Sequence, residues 1–250
     1  MASFRDEFEG PALDRSVWLP HYLPAWSSSD ATLASHRLEG GRVVLDIPVD
    51  HPLWCPDDHA PMRVSGIQSG NWSGPLHSTR GQQRFAEGLT VKEEQPRFEG
   101  WLCSSGRIEV QCSMELSHRS MAALWMSGFE DDEEQLQCGE ICVFEIFGNA
   151  LGEGSAEVGT GIKAFRDPAL TQDFAAPRVA VDVTEPHTYA VEWDADVAVF
   201  TVDDAEVRRC SRPPTYPLQL MIAVFDFPDR TIGGDDHVVP RLAVDHVAGW

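Results

Sequence analysis

The chain has 250 residues, 42% apolar and 24% charged, a globular composition long enough to bury a large core. Its formal net charge of −21 excludes the basic footprint that phosphate binding needs, so no nucleic-acid partner is expected. No apolar run approaches a membrane span, and no membrane partner is expected either.

The opening residues, Met-Ala-Ser-Phe-Arg-Asp-Glu-Phe, lack the hydrophobic core of a signal peptide, which predicts a cytoplasmic protein unless a leader has been removed. No repeat and no Pro/Gly/Ser-rich linker divides the chain, so one domain over residues 1–250 is expected, as a monomer. Cys55, Cys103, Cys112, Cys138, Cys142 and Cys210 follow no zinc spacing and are expected as buried free thiols. Asn71-Trp72-Ser73 matches a glycosylation sequon, which matters only in a secreted eukaryotic protein.

In chain order, strands are expected at Arg42–Ile47 and Met62–Ile67. The segments Pro48–Pro61 and Ser69–Glu99 are long for plain connections, and loops of that length shape binding sites or are disordered. Trp54, Trp72 and Trp101 lie on or beside them, where rings can stack on a sugar; Trp18 and Trp193 sit in patterned segments and are expected in the core. The clearest strand runs from Arg107 to Leu116, with Ile108, Val110, Cys112, Met114 and Leu116 on one face and polar residues on the other. Further strands are expected at Met121–Met126, Glu140–Phe147, Arg178–Val183, Thr188–Trp193, Val197–Val202, Leu218–Phe225 and Arg241–Val247. Asp194-Ala195-Asp196 and Asp203-Asp204 have the composition of tight turns. Many short strands with almost no helix define an all-β chain, a β-sandwich or jelly roll. The acidic run Glu130–Glu134 is expected as a solvated loop at a cleft edge, and Cys55-Pro56-Asp57-Asp58-His59 and Asp235-Asp236-His237 as acidic turns with some capacity for a metal.

The stretch Gly139–Gly148 differs from all of these. Glu140 and Glu145 stand in a run otherwise apolar, with Ile141, Val143, Phe144, Ile146 and Phe147. Carboxylates are seldom placed in a buried strand unless something uses or neutralises them. A regular strand would put Glu140 and Cys142 on one face and Glu145 on the other. A β-bulge near Val143-Phe144 would bring Glu145 back beside Glu140. Two carboxylates so placed are what retaining glycoside hydrolysis requires, and Trp125 on the preceding strand could offer them a face for a sugar ring.

Gly139-Glu140-Ile141-Cys142-Val143-Phe144-Glu145 resembles the signature of glycoside hydrolase family 16, the laminarinase-like enzymes, whose bulged form is Glu-x-Asp-x-x-Glu. The likeness includes Leu124-Trp125-Met126 before the motif, Asp6-Glu7-Phe8-Glu9-Gly10 with Trp18 at the start, Gly106-Arg107-Ile108-Glu109-Val110, the stretch His187 to Trp193 with Val202-Asp203, and Val244-Asp245-His246-Val247 at the end. The resemblance implies a jelly-roll sandwich of two antiparallel sheets with a sugar cleft on the concave one. It further implies Glu140 as nucleophile and Glu145 as acid/base, acting on a carbohydrate, a β-1,3-type glucan first. The charge on Glu140 is then expected to raise the pKa of Glu145. Phe225 falls in a stretch that the family uses on the cleft side, and Lys163 stands where the family often has a cleft His. No cofactor is required; a structural calcium would map to the Glu7 and Gly41 carbonyls and the Asp245 carboxylate, all oxygen donors.

Cys142 is the main departure, since the family has Asp there. A neutral thiol couples weakly to the pair, though it could offer its S–H to Glu140, and a lower turnover than in Asp enzymes is expected. The rival reading is a carbohydrate-binding jelly roll with weak or lost catalysis; a transglycosylase is a near relative of the hydrolase.

Overall fold

The computed structural model describes residues 3–234 and 238–250, and the expected acidic turn at Asp235–His237 lies outside them. Two antiparallel sheets pack as a jelly-roll sandwich. One, here the cleft sheet, runs in the order Asp173–Ala175, Gly159–Lys163, Glu140–Phe147, Ser120–Gly128, Leu218–Asp226 and Arg63–Gln68, with Leu102–Cys103 paired to the end of Leu218–Asp226. The outer sheet runs Ala205–Ser211, Val197–Val202, His187–Trp193, Gly106–Glu115, Arg241–Gly249, Val43–Asp46 and His36–Leu38, with Phe4–Asp6 paired to Arg241–Gly249.

Period-two patterning explains the sandwich. Along Gly106–Glu115, Ile108, Val110, Cys112 and Met114 are buried while their neighbours are half-exposed, as the alternation predicts. They join one core with Ala122, Leu124 and Met126, with Leu218, Leu220, Ile222 and Val224, and with Val191, Trp193 and Phe200. A second apolar cluster lies on the opposite face of the cleft sheet and includes Met121, Ala123, Trp125, Cys142, Met221, Ala223 and Phe225. The cleft sheet is therefore apolar on both faces, which is why its central strands read as continuous apolar runs.

Most expected strands agree within one or two residues, but the expected Arg178–Val183 strand is only Arg178–Val179. Ala205–Ser211 was not expected, because Glu206, Arg208 and Arg209 give it a polar outer edge. Asp203 and Asp204 turn the chain into it with φ of 49° and 64°, the left-handed region that Asp tolerates. All six cysteines are free and buried. Asn71 of the sequon is buried too, so that motif offers no glycan acceptor on the surface.

The bulge lies where the spacing of the two glutamates requires it. Against Ser120–Gly128 the register shifts between Cys142 and Phe144; against Gly159–Lys163 it shifts between Cys142 and Glu145. Ile141, Val143, Phe144 and Ile146 consequently enter the core between the sheets, while Glu140, Cys142 and Glu145 all face the cleft.

Gly161 is paired with Cys142 beside this bulge, at φ +136°, and a Cβ there would lie 2.1 Å from the Asp173 carbonyl oxygen. Both the backbone conformation and the space require glycine. Gly161→Ala is expected to destabilise by about 2–4 kcal/mol, read as a lower denaturation midpoint. A change under about 0.5 kcal/mol, the size of an ordinary surface substitution, would contradict this account.

Candidate active site

A cleft of about 460 Å³ opens over the bulged strand, with Glu140, Cys142, Glu145 and Lys163 among the residues lining it. Its apolar floor comes from alternate residues of the two neighbouring strands: Met121, Ala123 and Trp125 from one and Phe225 from the other. Trp125 is paired across the ladder with Cys142, so its ring lies beside the carboxylates, as the motif spacing suggests.

The four polar side chains form one unit. Lys163 Nζ donates to Glu145 Oε2 at 2.8 Å and stands 3.3 Å from Glu140 Oε1. One ammonium thus lies within ion-pair distance of both carboxylates. The Phe174 ring backs the ammonium, 4.8 Å from its centroid. Burial lowers the affinity of Lys163 for its proton, but the charges of Glu140 and Glu145 outweigh it and hold the ammonium above its ordinary range.

Glu140 is only 6% exposed. Burial pushes its pKa up to about 7; Lys163 pulls it down and the Glu145 charge adds to the rise. Charge repulsion alone, the effect expected from the spacing of the two glutamates, acts on Glu145. Depth in the sheet, which sequence spacing does not reveal, makes burial of Glu140 the leading effect.

Cys142 is 1% exposed, and burial holds its thiol well above the ordinary thiol range, so it is neutral. Its Sγ points to the Gly159 carbonyl oxygen, 3.7 Å away, across the bulge. The expected S–H bond to Glu140 is absent among the described residues, because the bulge turns the thiol towards the neighbouring strand instead.

Trp54 and Phe225 also line the cleft, as expected. Tyr22, which sequence reading missed, packs edge-on against both, at 5.1 Å from Trp54 and 5.5 Å from Phe225, and 6.3 Å from Trp125. Its hydroxyl is pushed up first by burial and then by the charge of Glu140. His59, Phe85, Phe165 and Phe227 complete the aromatic lining. Phe227 follows Phe225 in the stretch that the family resemblance places on the cleft side, whereas His59, Phe85 and Phe165 lie in irregular segments with no periodic signal.

Two aromatic expectations fail. Trp72 does not line the cleft: its indole N–H donates to the Phe129 carbonyl at 2.6 Å, and Arg80 covers the ring at 5.7 Å. Trp101 packs against Phe4 at 5.4 Å and closes over Gly249 of the outer sheet. Both are long-loop aromatics that serve packing rather than display.

Of the acidic run, Asp131, Glu133 and Glu134 are exposed as expected, and Glu130 alone departs from the solvated loop. Glu130 is buried at the cleft, accepts from the Gln83 backbone N–H at 2.5 Å and pairs with Arg166 Nη2 at 2.7 Å. Burial pushes its pKa up to about 7.

Glu130 and Glu140 together set a stability slope. Each holds its proton in the folded chain to about pH 7, against an ordinary value of 4.5. The native state therefore binds more protons than the unfolded one between about pH 4.5 and 7, and stability falls as pH rises through that window. Tm is expected to be higher at pH 5 than at pH 8, and Glu130→Gln and Glu140→Gln should each flatten the difference. Melting curves in which both variants parallel the wild type at every pH would contradict this.

Metal readings find little support. Asp58 and Asp57 are taken by Lys92, at 2.5 and 3.6 Å, and His59 Nδ1 by the Ala60 carbonyl oxygen. Among the described residues no group of three His, Cys, Asp or Glu side chains could hold a metal. For the implied calcium, Asp245 gives Oδ1 to Arg42 Nε at 2.8 Å and keeps Oδ2 buried without a hydrogen-bond partner. That open oxygen fits a hard cation.

An antiparallel jelly roll with paired carboxylates under an aromatic-walled cleft defines a carbohydrate-active sandwich. The profile of glycosyl hydrolases family 16 matches residues 100–230, and the chain belongs to that family. Among solved structures it is similar to the "GlcNAcα1-4Gal releasing endo-β-galactosidase" of Clostridium perfringens, at 26% identity and TM-score 0.82. That match covers 99% of this chain but 62% of the other, so the chain spans under two thirds of that relative. The laminarinase of Flavobacterium sp. matches at 18% identity and TM-score 0.68, covering 99% and 98% of the two chains. The laminarinase catalytic domain of Thermotoga maritima matches at 14% identity and TM-score 0.65, covering 98% and 96%. These two share the fold. No curated protein matches by sequence.

Proposed function

We propose that the chain is a retaining endo-glycosidase of a β-linked glycan, with Glu140 as nucleophile and Glu145 as acid/base. Glu140 attacks the anomeric carbon while Glu145 protonates the departing oxygen. Glu145, now a carboxylate, then takes a proton from the water that displaces Glu140. The observation that carries this reading is the bulge, which turns both glutamates onto the cleft floor within reach of one ammonium. Trp125, Trp54, Tyr22 and Phe225 give sugar rings apolar faces.

The first substrate class to test is a β-galactoside, because the 26% identical neighbour is an endo-β-galactosidase. The β-1,3-glucan expected from the sequence comes second, since the laminarinases compared above support the fold alone. Reducing-sugar release from galactose- and glucose-based β-glycans, with anomer analysis of the first product, tests the assignment. Retained β-anomer supports it; an inverted product contradicts it.

A second reading, a glycan-binding sandwich with weak chemistry, is favoured by Cys142, whose thiol bonds Gly159 instead of Glu140. Binding with no release across the panel would select it. Release of transfer products with added acceptor sugar would mark a transglycosylase. We further propose that a calcium ion would be held by Asp245 with the Glu7 and Gly41 carbonyls, on the outer sheet and outside the chemistry. Calcium is then expected to raise Tm, and Asp245→Asn to abolish the increment; a Tm indifferent to calcium contradicts it.

A further inference from the structure

The structure assigns Lys163 a third place in the proposed reaction: its ammonium follows the negative charge from Glu140 to Glu145 and back through the double displacement. The inference rests on the dyad roles given above.

The charge accounting of that reaction makes the geometry informative. In the first half, Glu140 must be a carboxylate and Glu145 must carry the proton. The bond from Glu140 to the anomeric carbon forms, the glycosidic bond breaks, and the Glu145 proton leaves with the departing oxygen. Glu140 is then a neutral ester and Glu145 a carboxylate. In the second half, water attacks, its proton goes to Glu145, and the ester bond breaks to restore the Glu140 carboxylate. One negative charge is present at every stage, but it changes residue. A cation bonded to only one carboxyl would favour one half-reaction at the expense of the other.

Lys163 is placed to serve both. Its strand is the ladder neighbour of the motif strand and its Cα is paired in register with Glu140. The Nζ is 3.3 Å from Glu140 Oε1 and 2.8 Å from Glu145 Oε2, so a small movement moves its stronger hydrogen bond between them. The Phe174 ring limits its retreat. No other cation contacts either carboxylate among the described residues. The other titratable and charged groups facing the unit are the neutral Cys142 thiol and the Tyr22 hydroxyl, and, further along the cleft, Cys138, Glu130 with Arg166, His59, Arg84, Asp229 and Arg230. On the strand behind, Asp173 is taken by Arg208.

This separates Lys163 from a sugar-binding role. Its ammonium donates to Glu145 and stands at ion-pair distance from Glu140, so it acts through them as a positioning residue. Removing it leaves the pair with no compensating charge, and both carboxyls should then hold protons to higher pH. In the proposed roles the acid limb of the rate profile belongs to the nucleophile and the alkaline limb to the acid/base, and the two titrate as one coupled pair. Both limbs should move up.

The experiment compares pH profiles of kcat/KM for wild type, Lys163→Met, Lys163→Gln and Lys163→Arg. The probes are unactivated β-linked oligosaccharides of galactose and of glucose, whose departing oxygen needs the proton, followed by reducing-sugar release, and melting curves confirm folding. Met and Gln are expected to shift the whole bell to higher pH by about one unit or more and to lower kcat about tenfold or more. Arg keeps the charge and should keep the wild-type limbs. Wild-type profiles for Met and Gln, with only KM raised, would overturn the inference in favour of a substrate contact. So would an Arg profile as displaced as that of Met. A wild type that releases no sugar from any probe would instead fail the dyad reading itself.

Discussion

Glu140→Gln is expected to lower kcat about 10⁴-fold or more, equivalent to about 5.5 kcal/mol of transition-state stabilisation. The amide keeps the shape and the contact with Lys163 but cannot attack the anomeric carbon as a carboxylate does. The loss should come without unfolding. Glu140 lies buried in the cleft sheet with its pKa pushed up to about 7, so above pH 7 the wild type bears the cost of a buried charge that Gln lacks. Tm of the variant at pH 8 should equal or exceed that of the wild type, the usual relation between a strained functional group and stability. Hydrolysis within about tenfold of wild type would remove Glu140 from the reaction.

The second large effect is expected from Cys142→Asp. Cys142 sits between the two glutamates in sequence, opposite Trp125 in the ladder, fully buried and neutral. An Asp there adds a third carboxyl to a unit that has one cation, Lys163. If it ionises, its charge raises the pKa of the acid/base, and the alkaline limb of the rate profile moves up by about one unit. If it stays protonated, its O–H is a far better donor to Glu140 than a thiol. Either way turnover at neutral pH should rise. Stability should fall by about 2–4 kcal/mol, because burying an uncompensated carboxyl is costly. Cys142→Ser adds no charge and should leave the limbs in place. An Asp variant with unchanged pH profile and kcat would show that position 142 only packs.

The fold was legible because its strands obey simple periodicities. Ile108, Val110, Cys112 and Met114 announce a half-buried strand, and the continuous apolar runs around Leu124, Phe144 and Ile222 announce strands covered on both faces. The bulge was legible for a stronger reason: five-residue spacing puts Glu140 and Glu145 on opposite faces, and no covered sheet would bury one of them without purpose. What stayed hidden depends on loops and depth. Tyr22, His59 and Phe85 reach the cleft from irregular segments, where no pattern separates a wall from a packing contact. Trp72 and Trp101 show the opposite error, since their rings are consumed by the Phe129 carbonyl and by Phe4. Glu130 looked solvated within an acidic run, yet Arg166, 36 residues away in sequence, draws it into the cleft. Lys163 was visible as a cleft residue, but its bridging position depends on the register between two strands, which only the structure specifies.

The most direct test of the catalytic dyad is trapping of the intermediate. A 2-deoxy-2-fluoro β-glycoside with an activated leaving group, of the sugar class the panel identifies, slows release of the glycosyl-enzyme. Peptide mass spectrometry should then place one glycosyl adduct on Glu140, absent from Glu140→Gln and longer-lived in Glu145→Gln, which lacks the base that activates water. An adduct on another residue, or undiminished hydrolysis by Glu140→Gln, would contradict the account.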